Sequence, residues 1–92
     1  MNENNDPSPA LTVLEPAALA VWHVKVVARA HPLLLPRILQ KLAVPDIELW
    51  EVRYRAGAPC GLCIRTTAAR VRLTSAKLQT LMGVERVEVH AA

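Results

Sequence analysis

The sequence predicts an α+β domain, the ferredoxin-like βαββαβ sandwich, with a four-stranded antiparallel sheet and two helices on one of its faces. Three observations carry that expectation. Four stretches alternate apolar and polar residues with the two-residue period of a half-buried strand, and two others space their apolar residues as one stripe of a helix. The stretches follow one another as strand, helix, strand, strand, helix, strand. Each is apolar on one side only, so one core between helices and sheet serves all six, with strand order 4-1-3-2.

At 92 residues, 52% of them hydrophobic, the chain has room for one domain with one core. Residues 1–18 stand apart: Pro7, Pro9 and Pro16 flank a short apolar run from Leu11 to Leu14. They are expected to form a disordered lead or to add that run to a sheet edge. The domain proper is expected over residues 19–92.

The first strand is expected over residues 21–29, with Trp22, Val24, Val26 and Ala28 on one face and His23, Lys25, Val27 and Arg29 on the other. His31-Pro32 breaks it, and the period changes. Leu34, Leu35, Ile38, Leu39 and Leu42 form a helical stripe over residues 33–43. Pro36 is tolerable only near the first turn, so the helix begins no earlier than Pro32, and Pro45 stops it. A second strand is expected over residues 48–55, with Trp50, Val52 and Tyr54 facing one way and Leu49, Glu51, Arg53 and Arg55 the other. Residues 56–59 are a turn. The third strand, residues 60–66, turns Cys60, Leu62 and Ile64 to the core and Gly61, Cys63 and Arg65 outward. A second helix over residues 70–82 sets Val71, Thr74, Leu78, Leu81 and Met82 inward, and Gly83 stands where a helix-terminating glycine belongs. The last strand, residues 84–90, points Val87 and Val89 inward.

Composition excludes several classes. The net charge of +3 is mild and not gathered into the basic stripe of a nucleic-acid binder. No run of about 18 apolar residues exists to span a membrane. The N-terminus lacks the basic start and apolar core of a secretory signal, so a cytoplasmic protein with reduced Cys60 and Cys63 is expected. There is no glycine-rich phosphate loop, no nucleophile-turn serine and no carboxylate pair in a plausible cleft; a nonenzyme without a cofactor is expected.

Cys60-Gly-Leu-Cys63 has the spacing of a metal or redox pair, but in a strand, residues three apart point to opposite faces. It reads as one buried small hydrophobe and one exposed thiol. His23 and His90 are expected side by side, because strands one and four are antiparallel neighbours; two imidazoles without a third ligand read as solvated histidines. An RNA-binding module of the same topology stacks bases on aromatics of the central strands. The outward positions here, among them Lys25, Val27, Cys63 and Arg65, carry none.

The remaining candidate is the turn between first strand and first helix. A helix start leaves backbone N–H groups without intrahelical partners, and the helix dipole sets partial positive charge there. If a small anionic effector binds, it is therefore expected at His31, Leu33, Leu34 and Leu35, with the backbone of Leu33 to Leu35 donating and His31 adding a hydrogen bond.

Ala28 to Leu39 read Ala-Arg-x-x-Pro-x-x-Leu-x-Arg-x-Leu, and Leu78 to Val87 read Leu-x-x-Leu-x-x-Val-x-x-Val. In these motifs residues 21–90 resemble an ACT domain, most closely the short single-ACT form of the small regulatory subunit of acetolactate (acetohydroxyacid) synthase. Two positions depart: Ala30 replaces an acidic or amide residue of the family, and Leu33 its turn glycine. The resemblance implies a noncatalytic regulatory subunit that forms homodimers. It would bind a thiamine-diphosphate-dependent catalytic subunit of branched-chain amino-acid synthesis, and an effector amino acid at the first strand–helix turn. The alternative it leaves open is a free-standing homodimeric amino-acid sensor or protein-interaction module.

Overall fold

In a computed structural model, which describes residues 18–92, the six expected elements form in the expected order. They are β1 (Leu19–Ala28), α1 (Leu34–Leu42), β2 (Glu48–Arg53), β3 (Cys60–Thr67), α2 (Ala68–Gln79) and β4 (Val84–Ala91). The sheet is antiparallel throughout, ordered β2-β3-β1-β4. The expectation for the N-terminal stretch falls, but for Ala18, outside the described residues.

Strand alternation fixes which side is core. Val24 lies opposite Leu62 and Trp22 opposite Ile64. All four are buried, together with Val26 and Cys60. The Trp22 indole Nε1 donates to the Thr66 carbonyl at 3.1 Å, so the one polar atom of this core aromatic has a partner. From α1 the core takes Leu34, Ile38 and Leu42, four residues apart on one stripe; Leu35 and Leu39 pack beside them half-buried. From α2 it takes Ala68, Val71, Thr74 and Leu78.

The two helices start differently. Thr67 caps α2 by accepting from the Arg70 N–H at 3.1 Å, which draws the helix start to Ala68, ahead of the expected residue 70. The cap position of α1 is Leu33, whose side chain accepts nothing; Pro36 is the third helical residue, where its missing N–H costs no intrahelical bond. Gly83 adopts φ +86° after α2, and its carbonyl accepts from the Arg29 N–H at 3.0 Å, tying the end of the α2 segment to the end of β1.

Three expectations are corrected. The alternation of β2 breaks at Trp50: Leu49 pairs with Ile64 and Glu51 with Cys63, leaving Trp50 as an extra residue in a β-bulge. Leu49 and Val52 consequently lie opposite core residues of β3, and Trp50 is 56% exposed rather than inward. The strand also ends at Arg53, before Tyr54 and Arg55. Met82 is 76% exposed, because α2 stops at Gln79 and the chain is already turning toward β4.

Candidate functional site

The β1–α1 turn is exposed from Arg29 to Leu33, and Leu33 itself is 48% exposed. Leu34 turns into the core and Leu35 is half-buried, so of the three leucines one faces solvent, one packs inward and one lies at the boundary. His31 organises the helix start. Its carbonyl accepts from the Leu34 N–H at 3.0 Å, and its imidazole Nδ1 accepts from the Leu33 N–H at 3.1 Å. Two of the three backbone donors expected to meet an effector are thus engaged by His31. The Leu35 N–H has no acceptor among the described residues. That His31 would serve as a local acceptor was legible in kind, since a polar side chain beside a helix start commonly caps a free N–H. Which atom it would engage was not.

The second feature is the open face of the sheet, away from the helices. Strand register arranges it in transverse rows. One reads Glu51–Cys63–His23–His90 across β2, β3, β1 and β4, and the next reads Arg53–Gly61–Lys25–Glu88. His23 and His90 are direct cross-strand partners, as the topology requires, and the two cysteines fall on opposite faces, Cys60 buried and Cys63 half-buried. Burial pushes the Cys60 thiol pKa up, which keeps it protonated and unreactive.

The charged groups of this face are largely paired along their own strands. Arg53 Nε donates to Glu51 at 2.9 Å and Arg86 Nε to Glu88 at 2.7 Å. The Arg86 contact, helped by Lys25, holds the Glu88 carboxyl below the usual carboxylate range. These pairs are solvent-exposed and contribute little to stability. Gly61 leaves a shallow depression of about 140 Å³ between strands, lined by His23, Glu51, Arg53, Leu62 and Cys63. Among the described residues, no group of three or more His, Cys, Asp or Glu side chains is placed to hold a metal ion. No described helix is long and apolar enough to cross a membrane.

A larger groove of about 560 Å³ opens at the other end of β1 from the β1–α1 turn, between Leu19, Pro45, Asp46, Arg70 and Leu73. Its charges cancel, since Arg70 donates to Asp46 at 2.7 Å. No residue pattern in the sequence pointed to this groove.

No protein-family profile and no curated protein matches the sequence. Solved structures do match in fold. The ACT domain from GTP pyrophosphokinase of Chlorobium tepidum superposes with TM-score 0.71 at 17% identity, over 78% of this chain and 99% of that one. A homoserine dehydrogenase from Thiobacillus denitrificans gives TM-score 0.72 at 20% identity over 83% of this chain, which spans only 18% of that enzyme. The C-terminal domain of the MgtC protein from Mycobacterium tuberculosis gives 0.59 at 22% identity, over 85% and 93% of the two chains. The shared feature is the fold: a ferredoxin-like sandwich of the ACT kind.

Proposed function

We propose that this ACT-like domain is a noncatalytic regulatory subunit that works by docking on an enzyme, the acetolactate synthase catalytic subunit being the partner its two turn-and-helix motifs favour. The observation that carries this reading is the β1–α1 turn. A free-standing sensor needs open space and free donors there. Here His31 holds the Leu33 and Leu34 N–H groups, and Leu33 presents an exposed apolar side chain where the family has glycine. That arrangement suits a protein surface better than an amino-acid carboxylate. A branched-chain amino acid acting as effector would have to displace the His31 imidazole from Leu33 and take the Leu35 N–H as well. The catalytic work belongs to the partner; this chain contributes a surface and an assembly state.

The assembly state we propose is a homodimer formed by edge pairing. The bulge at Trp50 blunts the β2 edge, as bulges on edge strands do. The other edge, β4, runs eight residues. Antiparallel pairing of two β4 strands about Val87 sets Arg86 opposite Glu88 of the partner subunit, on the open face, twice by symmetry.

Co-purification with an acetolactate synthase catalytic chain, together with calorimetric titration of the isolated domain with valine, leucine and isoleucine, tests the reading. Complex formation with no heat from the amino acids alone is the expected result. Amino-acid binding to the isolated domain would support the free-standing sensor instead.

A further inference from the structure

We propose that the apolar run Leu11-Thr-Val-Leu14 folds back as a strap into the groove at the start of β1. That groove, about 560 Å³, is lined by Leu19, Pro45, Ala69 and Leu73, with Asp46 and Arg70 beside them. Leu19 is 57% exposed and Leu73 46%, two of the six large hydrophobic side chains that the described residues leave in solvent. Single exposed leucines are ordinary, but two that share one concavity rimmed by polar groups mark a place where another apolar element sits. The core does not use Leu73. Ala68, Val71, Thr74 and Leu78 form the inward stripe of α2, and Leu73 lies off it, one turn after Ala69 on the groove side.

The chain's own lead is the occupant that this position favours. Residues 1–17 join the described domain at Ala18, directly before Leu19, so the lead starts at the edge of the groove. Leu14 is five residues from Leu19 and Leu11 eight. Extended chain of those lengths reaches roughly 16–18 Å and 26–29 Å. Pro16 disfavours helical backbone at Glu15, so the run arrives extended. A tether this short holds the run at an effective concentration of about millimolar, where a weak apolar contact is enough.

Charge points the same way. Residues 1–17 contain Glu3, Asp6 and Glu15 and no lysine or arginine, a side-chain charge of −3. The whole chain carries +3, which leaves +6 on residues 18–92. Beside the groove α2 begins with Arg70 and Arg72 and has no acidic residue in its first turn, where the helix dipole favours a carboxylate. Glu15, next to the apolar run, supplies one. Leu11 to Leu14 are uncharged, which suits a groove whose own charges cancel between Arg70 and Asp46. The strap covers Leu19 and Leu73 and leaves the β1–α1 turn, at the opposite end of β1, open for docking.

Methyl NOE spectra of the full chain, labelled at leucine and valine, are the test. Cross-peaks from Leu11, Val13 or Leu14 to Leu73 are expected. They should vanish in isotope-filtered spectra of a mixture of labelled and unlabelled protein, which pass only contacts between copies. Thermolysin, which cuts before leucine and valine, reads the same contact as a rate, because cleavage tracks the undocked fraction when docking is fast; Leu73→Asp should speed cleavage within residues 11–14 about tenfold or more. Met82→Asp, at an exposed position away from the groove, should leave that rate unchanged, and residues 18–92 should stay intact in both variants. Absence of cross-peaks to Leu73, cross-peaks that persist between copies, contacts from the run to Val87 or Val89 instead, or cleavage indifferent to Leu73→Asp would each overturn the assignment. The second outcome would indicate a strap exchanged between two copies, and the third a strand added at the β4 edge.

Discussion

Thr66 gives the sharpest stability test, because one buried residue joins three segments. It is fully buried; its Oγ1 donates to the Asp46 carbonyl at 2.7 Å and its own carbonyl accepts from the Trp22 indole. Thr66→Val keeps the shape and deletes only the hydroxyl. A net hydrogen bond contributes about 0.5–1.5 kcal/mol, and Asp46 is exposed enough for its carbonyl to recover a water, so the cost should be about 1 kcal/mol. Thr66→Ser keeps the bond and loses a buried methyl, about 0.8 kcal/mol of transfer plus a small cavity, for a total of about 1–1.5 kcal/mol. Thr66→Ala loses both and should cost about 2–3 kcal/mol, close to the sum of the single losses. Urea unfolding with a common m-value measures all three, and for a domain of this size each kcal/mol lowers Tm by about 4–8 °C. A Thr66→Val variant as stable as the parent, or one less stable than Thr66→Ala, would refute the assignment of the hydroxyl to Asp46.

Ile38→Ala removes the central residue of the α1 stripe and should cost about 2–5 kcal/mol in the same assay; Met82→Ser, at the exposed turn, should stay within about 0.5 kcal/mol. Arg86→Glu should weaken the homodimer about tenfold by light scattering, and the double swap Arg86→Glu with Glu88→Arg should restore it, each symmetric pair contributing about 0.2–1 kcal/mol. Leu33→Gly should open the β1–α1 turn and create or strengthen amino-acid binding, read by calorimetry; no change would show that the turn is only a connection. Thiol-reactive probes should label Cys63 while the fold is intact and reach Cys60 only on unfolding. Since burial raises the Cys60 pKa, the unfolded chain gives up that proton at lower pH than the folded one. Stability should accordingly fall as pH rises above about 8.5, where the unfolded thiol ionises.

The sequence by itself determined the elements whose signal is local. Val24 and Val26, and likewise Leu62 and Ile64, sit two residues apart; Leu34, Ile38 and Leu42 sit four apart. Those periods specify strand or helix and the face that turns inward, whatever the partner. It also sent Cys60 and Cys63 to opposite faces; Gly83 does take the positive φ of a turn glycine, but four residues beyond the end of α2 rather than as the residue that terminates the helix. Topology then implied that His23 meets His90, and the register agrees.

What only the tertiary structure decided depends on pairing between residues far apart in the chain. Trp50 alternates correctly in sequence, yet the β3 partner strand skips it, and a one-residue skip reverses the face of everything on one side of it. Met82 continues the apolar stripe of α2, but the helix has already ended and the chain is turning toward β4. The His31 imidazole engages the Leu33 N–H through a geometry that no spacing rule encodes. The row Glu51–Cys63–His23 exists only once three strands are in register, because side chains 12 and 40 residues apart become neighbours through backbone hydrogen bonds that the local pattern does not specify.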